Sequence, residues 1–131
     1  MSAGKKILLV EDDVFVSDVY QTKLKQEGFD VVSAENGAEA MKKLEAAVPD
    51  IILLDIIMPY MDGKEVLARL KKSEKWKNIP VIILTNLSQR DDVEEILQKG
   101  ADDYLIKSHF TPSEVVEKIK AVLNKQLTIN N

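Results

Sequence analysis

At 131 residues, with 45% hydrophobic and 31% charged side chains, the chain has the composition of one globular domain long enough to bury a single core. A net charge of −4 argues against general nucleic-acid binding, and the absence of cysteine excludes disulfides and thiolate chemistry. No window approaches the roughly 18 apolar residues of a membrane span, and "MSAGKK" lacks a signal-peptide core, so a cytoplasmic protein without a membrane partner is expected.

Five short apolar runs recur along the chain: "KKILLV" (5–10), "FDVVSA" (29–34), "DIILLD" (50–55), "PVIILT" (80–85) and "DYLIK" (103–107). Their near-continuous apolar character marks strands covered on both faces. Between them lie helical patterns. In 38–48, Met41, Leu44 and Val48 share one face, and in 112–126 Val115, Ile119, Val122 and Leu123 do the same. Gly28 and Gly100 are expected helix stops. Thr111, Pro112 and Glu114 form a T-x-x-E start for the last helix. "KKSEKWKNI" (71–79) is expected to be a surface loop, and "TINN" (128–131) to fray. The order is (βα) five times, which predicts an α/β fold with a doubly wound, five-stranded parallel sheet. Residues 1–131 are read as a single domain with its core at about 5–127 and short disordered ends.

Asp55 is the one charge in the aliphatic run Ile51–Met58, where an unpaired carboxylate is costly. In an open parallel sheet, ligands bind beyond the carboxyl ends of the strands. The residues falling there are Glu11, Asp12 and Asp13 after the first strand, Asp55 after the third, Thr85 and Asn86 after the fourth, and Lys107 after the fifth. If these strands are neighbours, the carboxylates, a hydroxyl and an ammonium share one pocket. Clustered carboxylates repel, and a hard divalent cation such as Mg²⁺ relieves that. An ionised Asp55 is already a nucleophile and needs no general base to accept a phosphoryl group. Each residue also has a plainer reading: Asp13 as a helix N-cap, Thr85 as a strand former, Lys107 as a solvated lysine, Tyr104 as a half-buried aromatic.

Together "ILLVEDD", "IILLDIIMPYMDG", "VIILTN" and "GADDYLIK" resemble, in order and spacing, the motifs of the response-regulator receiver domain of two-component signalling. The resemblance spans Lys5 to about Leu127. It implies a flavodoxin-like, CheY-like fold with strand order 2-1-3-4-5. It implies Asp55 as phospho-acceptor, Asp13 as direct Mg²⁺ ligand with Asp12 helping through water, and the Ile57 backbone carbonyl completing the metal site. Thr85 and Lys107 would bind phosphoryl oxygens. Thr85 would couple to the rotamer of Tyr104, changing the face of the fourth helix, fifth strand and fifth helix. The implied partners are a histidine kinase or phosphotransfer protein and an unidentified downstream protein, with a homodimer through the fourth and fifth helices as a further option.

Three departures from the family pattern stand out. Asn86 occupies a position where a small residue is usual. Lys107-Ser108 replaces a Lys-Pro with a cis bond, and "KSHFTPSE" is one residue longer, leaving either a cis bond or a different trans path open. Ile57 and Leu87 are apolar where the family carries polar water-positioning side chains, which implies a long-lived phosphoryl group. Asn86, Leu87 and Ser108 are therefore candidate modulators. His109 lies in a loop before Pro112 and is read as a surface residue, and Trp76 is distant from Asp55 in sequence. Two other classes remain. One is a pseudo-receiver that binds proteins without phosphorylation. The other is an aspartyl-phosphate phosphatase of the haloacid-dehalogenase type, disfavoured because the first strand gives adjacent acids instead of D-x-D.

Overall fold

The computed structural model describes residues 4–130, with side chains to Gln126. In chain order the elements are β1 (Lys6–Val10), α1 (Val14–Gln26), β2 (Asp30–Ala34), α2 (Gly37–Ala46), β3 (Ile51–Leu54), α3 (Gly63–Lys72), β4 (Val81–Thr85), α4 (Arg90–Gln98), β5 (Asp103–Ile106), a 3-10 turn at Lys107–His109, and α5 (Pro112–Asn130). The five strands form one parallel sheet in the order β2-β1-β3-β4-β5, as the (βα)5 reading expects.

Side chains alternate across each strand, so the sheet feeds two cores. Leu8, Val10, Ile52, Leu54, Val81 and Ile83 point towards α2, α3 and α4, meeting Leu44, Leu67, Leu70 and Ile96. Ile7, Leu9, Ile51, Leu53, Ile82, Leu84 and Leu105 point the other way, onto Tyr20 and Leu24 of α1 and Val115, Val116 and Ile119 of α5. The central strands are buried on both faces, which explains why their sequences are apolar throughout rather than alternating. Gly28 and Gly100 follow α1 and α4 in the left-handed region, at φ 92° and 113°, as expected of helix stops. At the start of α5 the Thr111 N–H donates to Glu114 Oε1 and the Glu114 N–H to Thr111 Oγ1, completing the expected box.

Two local expectations are corrected. α2 ends at Ala46, so Val48 lies beyond the helix and is 47% exposed; Ala47 already has extended backbone. The polar stretch 71–79 is not merely a surface loop, because Trp76 and Ile79 are buried in the α2–α3–α4 core. The Trp76 indole N–H has no acceptor among the described residues, and the Lys75 ammonium lies 5.6 Å from its ring centre. Of the ends expected to be disordered, residues 1–3 and 131 lie outside the described residues, and of residues 128–130 only helical backbone is described. Among the described residues no helix is long and apolar enough to cross a membrane.

Candidate functional site

The register places Val10 beside Leu54, so the residues that follow, Glu11 and Asp55, emerge side by side at the carboxyl edge. The ladder runs one residue past each strand: Glu11 N–H donates to Ala34 O at 3.0 Å and Asp55 N–H to Val10 O at 3.0 Å. Both side chains are thereby buried, at 3% and 5% exposure. Lys107, leaving β5, bridges them, with Nζ 2.5 Å from Glu11 Oε1 and 2.9 Å from Asp55 Oδ2. The other Asp55 oxygen, Oδ1, accepts from Ile57 N–H at 3.2 Å, and Glu11 Oε2 accepts from Asp13 N–H at 3.0 Å. The aspartate in the aliphatic run is therefore neither entombed nor unpaired.

Burial, and then the nearby Asp55 charge, push the Glu11 carboxyl upward despite its hydrogen bonds from Lys107 and the Asp13 backbone. Burial alone would pull Lys107 down, but the hydrogen bonds and charges of Glu11 and Asp55 hold its ammonium above the ordinary lysine value. Oxygens of Glu11, Asp12 and Asp55 lie within 4.8 Å of one another, with Asp12 exposed. Three carboxylates against one ammonium leave two formal negative charges, which a divalent cation balances. All-oxygen donors open to solvent on one side suit Mg²⁺, which keeps several waters.

Asp13, the expected direct metal ligand, stands outside this group. Because α1 begins at Val14, residue 13 becomes its N-cap, and Oδ1 accepts from Val16 N–H at 3.1 Å. Glu11 takes the inner position instead. A sequence signal for it existed: Glu11 follows the apolar run of β1 at the same offset as Asp55 follows that of β3.

Thr85 is fully buried at the end of β4, with Oγ1 accepting from Leu87 N–H at 3.4 Å. The carbonyl of Leu87 accepts from the Tyr104 hydroxyl at 2.5 Å. Burial, then the charges of Asp92 and Asp55, push that phenol up to about 12. The Leu87 side chain packs with Tyr104 against the core, whereas Ile57 is 60% exposed. Asn86 and Ser108 are exposed and border an open pocket with Lys107 and Tyr20. The Lys107-Ser108 bond is trans and begins the 3-10 turn, so the trans path is the one taken. His109 is exposed.

Gly63, in the quoted "MDG", is a second residue whose role the motif reading left out. Its N–H donates to Ile56 O at 2.9 Å, and a Cβ there would sit 2.2 Å from Asp55 O. The bare glycine lets the start of α3 close directly onto the Asp55 backbone.

A doubly wound sheet whose carboxyl edge carries clustered acids bridged by one lysine defines a CheY-like receiver. The chain belongs to the response regulator receiver domain family, whose profile matches residues 7–120. It is 39% identical over 122 residues to the alkaline phosphatase synthesis transcriptional regulatory protein PhoP of Bacillus subtilis, covering 93% of this chain and 50% of that protein. The chain spans about half the length of the curated relatives it matches. Among solved structures, a CheY-like receiver domain protein from Methanospirillum hungatei superposes with a TM-score of 0.87 at 31% identity, covering 95% of this chain and 97% of that one. A Francisella response regulator receiver domain gives 0.85 at 33% identity, covering 93% and 98%. Membership makes this a phosphoacceptor module of two-component signalling and not a turnover enzyme acting on an external substrate.

Proposed function

We propose that Asp55 accepts a phosphoryl group from a phosphohistidine of a histidine kinase or phosphotransfer protein, or from a small phosphodonor. The observation that carries this is the Lys107 bridge, which holds the buried Asp55 side chain at the rim of an acid cluster. An Asp55 carboxylate oxygen forms the new P–O bond as the donor's P–N bond breaks, and the electron pair leaves with the imidazole nitrogen. Lys107 then follows the developing charge onto a phosphoryl oxygen. Thr85 turns its hydroxyl to a second one.

Glu11, Asp12 and Asp55, with the Ile57 carbonyl, would hold Mg²⁺, which supplies charge neutralisation for the phosphoryl oxygens. Asp13 serves as the cap of α1. The hydrogen-bonded path Thr85–Leu87–Tyr104 supports a switch in which movement of Thr85 changes the Tyr104 contact and with it the face of α4, β5 and α5. Asn86 and Ser108 border the entrance and Ile57 lies open beside it, so these three, with Leu87, set access of water and the phosphoryl lifetime. Residues 5–127 act as one receiver domain. Pairing of two copies through α4 and α5 is the assembly mode we favour, supported by Leu97 at 40% exposure on α4.

The test is incubation with acetyl phosphate and Mg²⁺. Uptake of one hydroxylamine-labile phosphoryl group by the wild type, and none by Asp55→Asn, is expected. No uptake from acetyl phosphate or from a kinase, by a folded protein that binds Mg²⁺, would favour the pseudo-receiver reading.

A further inference from the structure

β2 is an edge strand, and its backbone polarity can be assigned residue by residue. Asp30 N–H donates to Lys5 O at 2.8 Å and Ala34 O accepts from Glu11 N–H at 3.0 Å. In a parallel ladder the N–H and C=O of one residue point to the same side and alternate along the strand. Asp30, Val32 and Ala34 therefore face β1, and the N–H and C=O groups of Val31 and Ser33 face outward. Among the described residues β2 pairs only with β1, so these four groups have no ladder partner there.

Beside that edge, on the α2 side, lies a crevice of about 100 Å³ whose walls include Leu8, Val32, Ala46, Ala47, Val48 and Pro49. It is the size of one aliphatic side chain. Val32 and Val48 border it at 45% and 47% exposure. Lys6 and Lys43 also line it, and neither ammonium has a carboxylate within 4.0 Å among the described residues; the acids beside Lys6 are Asp30, its ladder partner, and Asp50, which accepts from the Lys6 backbone N–H at 2.7 Å.

We propose that the β2–α2 edge is a docking site for an extended acidic peptide segment, which adds as a sixth strand and inserts one aliphatic side chain into this crevice. Strand addition supplies main-chain hydrogen bonds, and a pocket for alternate side chains supplies specificity. Residues two apart on the added strand share a face, so an acid two positions from the anchor lies on the side of the sheet that carries the crevice and its lysines, Lys6 and Lys43. Val31 and Ser33 capture the peptide backbone. The surface lies away from Asp55 and serves a partner other than the phosphodonor.

The probe is the blocked peptide E-T-L-T-E, with E-T-A-T-E and K-T-L-T-K as controls, titrated into the ¹⁵N-labelled protein to millimolar concentration. The amides of Val31 and Ser33 should shift and gain exchange protection, while those bonded to β1 stay protected throughout. The alanine peptide should bind more than about tenfold more weakly, having lost the buried side chain. Lys43→Glu should weaken the acidic peptide by about fivefold, the scale of an exposed ion pair. Ala46→Leu, which fills the crevice, should abolish binding and still take phosphate from acetyl phosphate. Shifts that bypass Val31 and Ser33, equal binding of the lysine peptide, or no shift at millimolar peptide would each overturn the proposal.

Discussion

Replacing Gly63 by alanine puts a methyl carbon 2.2 Å from Asp55 O and 2.7 Å from Ile56 Cα. Both obstacles are backbone, so no side chain can swing aside. Real Cβ contacts essentially never fall below 3.0 Å, so the start of α3 and the Asp55 peptide must separate by roughly 0.8 Å. The same movement stretches the 2.9 Å bond from Gly63 N–H to Ile56 O. Overpacking of this kind costs about 1–3 kcal/mol. A displacement of that size at Asp55 also approaches the ~1 Å that costs a reaction on the order of a hundredfold. Gly63 does not lie at positive φ, so helix propensity alone would make the alanine variant more stable, by about 0.5–1 kcal/mol. The backbone clash and the helix propensity of alanine thus act with opposite signs. Urea melts should show a loss of stability, and intact mass against time in acetyl phosphate should show slower phosphoryl uptake. A variant at least as stable as the wild type, phosphorylated at the wild-type rate, would refute the close-approach argument.

Asp13→Ala should cost about 1 kcal/mol of stability as a lost helix cap, yet leave Mg²⁺ affinity by calorimetry nearly unchanged; Glu11→Gln and Asp12→Asn should each weaken Mg²⁺ more than about tenfold. Glu27 is held low by the hydrogen bond and then the charge of Lys120, which ties α1 to α5 at 3.0 Å. A depressed folded-state carboxyl contributes stability above its unfolded value that is lost as pH falls through the folded one. Lys120→Met should therefore lower the urea midpoint at neutral pH, and the deficit should shrink and vanish as pH falls through the depressed folded-state value of Glu27. Tyr104→Phe keeps the ring but removes the donor to Leu87 O, so about 1 kcal/mol of stability should be lost while phosphoryl uptake stays at the wild-type rate. Amide shifts at α4 on phosphorylation should shrink in the same variant, and a full-sized response would sever Tyr104 from the switch.

The strands were readable because the sheet is buried on both faces, which leaves unbroken apolar runs that no surface helix needs. The start of α5 was readable because Thr111 and Glu114 act over three residues of sequence. What escaped depends on where an element stops. Val48 continues the apolar pattern of α2 but lies past its last turn, and Trp76 belongs to the core through a return of the chain that local polarity hides. The acids show the same limit more sharply. "EDD" offers three candidates, and only the boundary between Val10 and Val14 decides that Glu11 turns inward, Asp12 lies open to solvent and Asp13 caps a helix. Gly63 carries no local signal, since the atoms it accommodates belong to a residue eight positions earlier.

Trapping the acyl phosphate shows whether Asp55 carries the signal. An aspartyl phosphate is reduced by borohydride to homoserine, which marks the modified residue permanently in a peptide digest. After acetyl phosphate and Mg²⁺, homoserine should appear at position 55 alone. Homoserine at position 12 or 13, or phosphoryl uptake that persists in Asp55→Asn, would contradict the account.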